Sequence, residues 1–265
     1  YPNRPVFMWF HILDTHFPYN RSVNSTTPGS FLSRSVASFI IHGGRIPVNE
    51  NLRSLFINLY DNSLAYVDKL IKIMFEKLEE LELLHNAYII ITGDHGEEFL
   101  EHGALGHMGY STPKYTIPHL YNELIHIPLA IYGNNVSSEI RNDLCSHIDI
   151  APTIMSLLGL TKYLVFFIGK NCLSELARDY VFSEASAIVF KGLREYGASY
   201  AIVSNDSWKY IWNPITGEEL YYLRKDPYEK YPMYEPDILH DFRKILKRHI
   251  FFEKRISLKY IIKKL

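Results

Sequence analysis

The feature that most constrains the fold is an amphipathic stretch of helical period between two apolar runs of strand length. Over residues 51–84, apolar side chains recur at spacings of three or four, and charged residues fill the other positions. The flanking runs, residues 5–13 and 87–92, are apolar on both faces, which is typical of strands buried in a parallel sheet. A strand, a helix and a second strand in this order predict a right-handed crossover, and therefore an α/β domain.

A different pattern begins beyond residue 175, where short strands separated by turn signals replace the long elements. Residues 213–217 (Asn-Pro-Ile-Thr-Gly) predict a hairpin turn, and helical periodicity returns over residues 238–252. We therefore predict three parts: an α/β domain over residues 1–175, a small antiparallel subdomain with a helix over residues 176–252, and a basic tail over residues 253–265.

Composition excludes several classes of protein. Of 265 residues, 47% are hydrophobic and 22% charged, which is globular composition. Lys and Arg number 28 against 29 Asp and Glu, a balance that argues against a nucleic-acid partner. Cys145 and Cys172 are too few for a disulfide-rich scaffold, and we interpret them as a buried thiol and an incidental one. Neither a membrane span nor an export signal is evident, which favours a cytoplasmic protein. The oligomeric state is not indicated.

Chemically reactive side chains concentrate in the loop that follows the run at 87–92. Residues 92–107 read Thr-Gly-Asp-His-Gly-Glu-Glu-Phe-Leu-Glu-His-Gly-Ala-Leu-Gly-His. Open α/β sheets place their sites at this edge of a strand. Asp94 and His95 are adjacent on a glycine-flanked turn, so both can reach one divalent ion. A carboxylate with an imidazole suits zinc or manganese, whereas carboxylates alone favour calcium or magnesium.

This loop resembles the metal-binding signature of the sulfatase branch of the alkaline phosphatase superfamily. Three other segments resemble parts of that family, in the family's order. They are its substrate-histidine segment (residues 14–19, Asp-Thr-His-Phe-Pro-Tyr), its following helix (147–159) and its C-terminal hairpin and tail (208–229). The resemblance implies an alkaline-phosphatase-like sandwich with a mostly parallel central sheet, plus a small C-terminal antiparallel sheet with a helix.

The resemblance also implies roles for individual residues. Asp94 and His95 would be ligands of one divalent metal ion, with calcium favoured over manganese or zinc. The candidates for substrate binding are His16, His102 and His107, of which His16 and His107 are also the catalytic candidates. His16 would contact the anion or protonate the leaving oxygen, and His107 stands where many sulfatases have a Lys. His147 would lie near the pocket or cap its own helix.

The implied activity is metal-dependent hydrolysis of the sulfuric ester bond of a small molecule or sugar. The alternative is a phosphoesterase or phosphoalkyl transferase of the same superfamily, since His95 stands where many arylsulfatases have Asn. A non-catalytic binding domain is a third hypothesis. The family's nucleophile, a Cys or Ser in a Cys/Ser-x-Pro-x-Arg setting, has no match in the sequence, and nor do its further acidic ligands. We therefore expect a C-terminal portion of a longer enzyme, inactive as this chain alone.

The C-terminus is the one strongly polarised stretch. Residues 243–265 hold nine basic residues and one acidic residue, interleaved with apolar ones. Such a pattern is compatible with an amphipathic anchor on an anionic membrane. We favour a docked helix with a solvated basic face.

Overall fold

The computed structural model describes residues 4–19, 49–107, 109–111, 115–174, 178–186, 188–189, 198–213 and 216–262. At 110–111, 115–117, 188–189 and 253–262 it describes the backbone alone. The chain forms two compact units. The first comprises Tyr1–Ala87 and Glu97–Pro113, and the second Tyr88–Gly96 and Lys114–Leu265.

The described helices and strands follow one another along the chain in this order: α1 (Glu50–Glu80), β1 (Ile89–Thr92), β2 (Glu98–Phe99), β3 (Leu105–Gly106), β4 (Tyr110–Ser111), β5 (Tyr115–Ile117), α2 (Asn122–Ile125), β6 (Leu129–Tyr132), α3 (Ile150–Leu157), β7 (Tyr180–Ser186), β8 (Ile188–Val189), β9 (Ala198–Ser204), β10 (Trp208–Asn213), β11 (Gly217–Tyr222) and α4 (Pro236–Ile262). Short 3-10 segments lie at Leu84–Asn86, His147–Asp149 and Thr161–Phe166.

The first unit is organised around helix α1, which confirms the helix predicted from periodicity. Its start is capped by the side chain of Asn49, which accepts a hydrogen bond from the Asn51 amide at 2.9 Å. The buried core is apolar and aromatic and joins α1 to the β2–β3 hairpin and the segment before residue 20; its members are Tyr19, Phe56, Leu59, Leu100 and Leu105. The hairpin is thus held against the helix by burial of apolar surface.

The prediction of a strand at residues 5–13 is wrong. This segment has no regular secondary structure, and its apolar side chains are exposed, Trp9 by 81% and Phe7 by 72%. A strand needs a neighbour that accepts and donates its backbone hydrogen bonds. Among the described strands none pairs with this segment, so its apolar sequence alone does not make it a strand.

In the second unit, β1 confirms the strand predicted at residues 87–92, but it pairs antiparallel with β6, with Ile89 opposite Tyr132 and Thr92 opposite Leu129. β5 and β8 also pair antiparallel. The mostly parallel central sheet is therefore not confirmed. An apolar run indicates burial of both faces, but it does not specify the direction of the neighbouring strand.

The C-terminal antiparallel sheet is confirmed. Its four strands lie in the order β11-β10-β9-β7, and every neighbouring pair is antiparallel. Helix α4 covers one face of this sheet and forms a core with it; the buried members are Ile202, Tyr210, Leu220, Leu239, Phe242 and Leu246. Gly217, at φ +91°, closes the turn between β10 and β11 in a conformation that other residues rarely adopt.

Over residues 236–252, where its side chains are described, helix α4 packs against the C-terminal sheet. Arg243 contacts Glu218 through both a 2.9 Å bond from Nε and a second guanidinium contact, and His249 stacks on Phe182 at 3.9 Å between ring centroids. No helix in the described part of the chain has the length and apolarity to cross a membrane. The side chains of the basic tail at 253–265 lie outside the described residues, so membrane contact stays a prediction.

The interpretation of the two cysteines as unpaired thiols is wrong. Cys145 and Cys172 form a disulfide in the second unit. Asp149 lies close by, fully buried, and accepts hydrogen bonds from the amides of Ser146 at 2.9 Å and Lys170 at 2.7 Å. The pairing was missed because two cysteines that are 27 residues apart meet only after the intervening chain has folded.

Phe242 and Phe252 offer a matched test of the packing of α4. Phe242 is 4% exposed in the core, whereas Phe252 on the same helix is 54% exposed. Phe242→Ala should lower the free energy of unfolding by about 3–5 kcal/mol because it leaves a cavity, and Phe252→Ala by less than about 1 kcal/mol. Guanidinium denaturation of both variants measures the difference. Equal losses would contradict the assigned core.

Candidate functional site

The metal-ligand candidates lie on the turn that ends β1. The Asp94 carboxylate accepts a hydrogen bond from the His95 amide at 3.1 Å, and its side chain is 77% exposed. Asp94 Oδ2 and His95 Nε2 are 3.8 Å apart. Metal–ligand bonds are about 2.0–2.5 Å long, so one ion can contact both atoms without movement of the backbone.

The ring of His95 is oriented by its own turn. Its Nδ1 atom lies 2.8 Å from the carbonyl oxygen of Gly96, a partner to which it donates as N–H. With Nδ1 as the donor, Nε2 carries the lone pair that a metal requires. An exposed carboxylate and a correctly oriented imidazole therefore fit a divalent cation.

Gly96 fixes the position of this turn. Its amide donates to the Leu124 carbonyl at 2.8 Å, so the chain runs directly against α2. A Cβ atom at residue 96 would lie 1.9 Å from the carbonyl oxygen of Glu123. Only glycine permits this approach.

His147 contacts the same turn. Its Nε2 lies 2.9 Å from the carbonyl oxygen of Gly93, one residue before Asp94. The 3-10 turn that contains His147 is capped instead by the reciprocal hydrogen bonds of Ser146 and Asp149. Of the two alternatives for His147, the geometry supports the one that places it beside the site.

The first unit brings together two of the predicted substrate contacts. The rings of His16 and His107 lie edge to face, with 5.2 Å between their centroids. His107 Nδ1 is 4.0 Å from Glu97 Oε2, a distance that makes an ion pair when the imidazole is protonated. Two imidazoles at this distance can both donate hydrogen bonds to one anion.

Glu97 and Tyr19 were missed as site residues by sequence reasoning. The Tyr19 hydroxyl donates to the Glu97 carboxylate, and the two side chains are 1% and 7% exposed. Burial, and secondarily the charge of Glu97, raises the pKa of Tyr19 far above its usual value, so the hydroxyl stays protonated and remains a donor. The only sign in the sequence that Tyr19 and Glu97 lie near the predicted site is that each closely follows a predicted site histidine.

Glu98 holds the loop that carries His102. Its carboxylate is fully buried and accepts hydrogen bonds from the amides of His102 at 2.9 Å and Ala104 at 2.7 Å. Glu101 pairs with Arg53 of α1 at 3.0 Å. These acids are thus occupied in shaping the loop, and the substrate contact of His102 stays a prediction.

The predicted site residues divide between the two units. Asp94 and His95 belong to the second unit and His16 and His107 to the first. A further cluster in the second unit, formed by Cys145, Asp149 and Cys172, is not a metal site because its cysteines form the disulfide.

A family model described as Sulfatase matches residues 1–160. Arylsulfatase K of Canis lupus familiaris is 27% identical over 160 residues, which cover 56% of this chain and 27% of that protein. An arylsulfatase of Chlamydomonas reinhardtii is 28% identical over 201 residues, covering 63% of this chain and 30% of that protein.

Solved structures share the fold. A 2-O GAG sulfatase superposes with a TM-score of 0.61 at 19% identity, covering 95% of this chain and 54% of that one. A protein in complex with its substrate D-glucosamine-2-N,6-O-disulfate superposes with a TM-score of 0.52 at 21% identity, covering 77% of this chain and 41% of that one. The chain spans less than a third of the length of the two curated relatives and about half of the solved chains.

The bond between Tyr19 and Glu97 can be tested by removing one hydroxyl. Tyr19→Phe leaves a buried carboxylate without this donor, so we expect it to lower the free energy of unfolding by about 1–3 kcal/mol. Tyr60→Phe is the matched control, because Tyr60 packs its ring 5.6 Å from that of Tyr19 in the same cluster. Urea denaturation should show a clearly smaller loss for Tyr60→Phe. A Tyr19→Phe variant as stable as the wild type would contradict the assigned bond.

Proposed function

The chain belongs to the sulfatase family, and from this premise we propose that it takes part in the metal-dependent hydrolysis of sulfuric ester bonds. One observation carries the metal dependence: the exposed Asp94 carboxylate and the oriented His95 imidazole lie 3.8 Å apart at the end of β1. A sulfate ester is a weak electrophile with charged oxygens, so its hydrolysis requires cationic or hydrogen-bonding groups around those oxygens.

In this proposal Asp94 and His95 hold one divalent ion. When bound, the ion supplies positive charge that polarises the sulfur–oxygen bonds and stabilises the transition state. Calcium is the ion that the family resemblance favours, with manganese and zinc as alternatives that suit a mixed oxygen and nitrogen donor set. His147 supports the turn through its contact with the Gly93 carbonyl.

His16 and His107 are the proposed catalytic and substrate-binding residues. Their rings lie 5.2 Å apart, which allows both to donate hydrogen bonds to oxygens of one sulfate group. His16 would protonate the leaving oxygen as the ester bond breaks, and His107 would hold the transferred group. Glu97, 4.0 Å from His107, orients that ring. His102 is a further substrate-binding candidate.

The nucleophile is not assigned to any residue of this sequence, because no Cys or Ser stands in a Cys/Ser-x-Pro-x-Arg setting. We propose that residues outside these 265 supply it together with the remaining acidic metal ligands. For the organic part of the substrate we propose a sugar, since one protein that shares the fold binds a glucosamine disulfate. The cytoplasmic localisation expected from the sequence stays a prediction.

A phosphate or phosphonate ester is the second candidate substrate. It is favoured by His95 in the position where many arylsulfatases have Asn, and by His107 in place of Lys. Comparison of 4-nitrophenyl sulfate, 4-nitrophenyl phosphate and a phenylphosphonate ester as substrates separates the two chemistries. Faster hydrolysis of either phosphorus ester would favour the second candidate.

Substitutions separate metal binding from contact with the substrate. In the active protein, Asp94→Ala and His95→Ala should lose the metal and lower kcat/KM by about 100-fold or more. His107→Ala should keep the metal and lose about 100-fold or more in kcat, because it removes a proton donor or anion contact. Metal content by mass spectrometry and hydrolysis of 4-nitrophenyl sulfate measure the two effects.

His126→Ala is the control for loss of a histidine in the second unit, since His126 is exposed and follows α2. It should change neither metal content nor rate. Full metal content in Asp94→Ala, or full activity in His107→Ala, would refute the assigned roles.

A further inference from the structure

We propose that Lys209 and Glu229 are positioning residues for the metal-binding turn, because their buried ion pair holds α2 and α2 in turn holds Gly96. This inference rests on the proposed function of Asp94 and His95. It assigns a role in the site to two residues that lie far from that turn in the sequence.

Among the described residues of the second unit, this ion pair is the most deeply buried. Lys209 Nζ lies 2.6 Å from Glu229 Oε1, and both side chains are fully excluded from solvent. Burial lowers the pKa of Lys209 to about 8, even though the charge of Glu229 opposes this shift. Burial likewise raises the pKa of Glu229. Removal of one partner of such a pair leaves an uncompensated charge in the interior, so the contacts that the pair makes are costly to break.

The partners of the pair converge on the start of α2. Lys209 Nζ donates to Asn122 Oδ1 at 3.0 Å, and Glu229 Oε2 accepts from the Asn122 amide at 2.6 Å. The residue before this helix, Tyr121, makes no side-chain capping bond of its own. Glu229, in the segment between β11 and α4, therefore caps the first amide of α2, and Lys209 of β10 holds the side chain of the same residue.

The opposite end of this short helix contacts the metal-binding turn. The Leu124 carbonyl, two residues after Asn122, accepts from the Gly96 amide at 2.8 Å. The Glu123 carbonyl lies so close to Gly96 that a Cβ atom there would be 1.9 Å away. A displacement of α2 is thus transmitted directly to the residue that follows His95.

Other contacts hold α2 against the C-terminal sheet without reaching the turn. Tyr121 donates to Glu219 at 2.9 Å, and Leu120 belongs to a buried apolar cluster with Ile211 and Tyr221. These contacts should keep the unit folded when the ion pair is removed. What the ion pair adds is the fixed position of the first residue of α2.

Amide hydrogen exchange measured by NMR tests the proposal without metal or substrate. Lys209→Met should speed exchange of the Gly96 amide by about tenfold or more, while amides in the centre of β9 and β10 stay protected. Glu229→Gln is the second variant. It should accelerate Gly96 exchange less, because the buried Lys209 amine can lose its proton and then leaves no unpaired charge. Unchanged Gly96 exchange in both variants would overturn the proposal.

Asn213→Ala is the matched control. Asn213 lies at the end of the same strand as Lys209, is 6% exposed, and donates to Ser199 at 2.8 Å. This variant should lower the stability of the sheet. The exchange rate of the Gly96 amide, compared with the rates of the sheet amides, should stay as in the wild type. Equal acceleration of Gly96 and the β10 amides in Lys209→Met would mean that the pair is merely structural.

Titration of the active protein with Mn²⁺ gives a second readout. Lys209→Met should weaken Mn²⁺ binding by about tenfold, because a misplaced turn separates the two ligands. If the wild type binds no Mn²⁺ at all, the proposed function fails, whereas the exchange result still decides whether Lys209 positions the turn. Wild-type Mn²⁺ affinity in a folded Lys209→Met variant would count against the positioning role.

Discussion

The close approach of Gly96 to α2 is the constraint on which the site depends. The hydrogen bond from the Gly96 amide to the Leu124 carbonyl, at 2.8 Å, sets the direction in which the chain leaves β1. Asp94 and His95 precede this anchor directly, so their side chains are presented at a fixed turn instead of a flexible loop. Because a β-carbon at residue 96 would collide with the Glu123 carbonyl, no other residue type allows the same path.

The acidic residues of the loop at 92–107 differ in burial, and this difference determines which of them a cation can reach. Glu98 is fully buried and accepts hydrogen bonds from two backbone amides, and Glu97 is buried and accepts from Tyr19, so both carboxylates already have donors. Asp94 is 77% exposed beside the imidazole of His95. A cation from solvent can reach this carboxylate at little desolvation cost, which supports the proposal that Asp94 is a metal ligand.

Local patterns predicted much of the second unit, because strands β9 to β11 and helix α4 are neighbours in sequence and in space. The same patterns failed where the partner is distant. The segment 5–13 is apolar but unpaired in the described structure, and the directions of β1 and β6 are not encoded in their composition. Asp94, His95 and His107 could be predicted as site residues because they form one dense motif, whereas Lys209 and Glu229 meet only in the fold.

The central claim is that Asp94 and His95 bind one divalent cation. Crystals of the active protein soaked in Mn²⁺ test it most directly, because manganese scatters anomalously and its position can be located without bias. The account predicts one strong anomalous peak within about 2.0–2.5 Å of both an Asp94 carboxylate oxygen and His95 Nε2. A peak bound elsewhere, or the absence of any peak at this turn at saturating Mn²⁺, would contradict it.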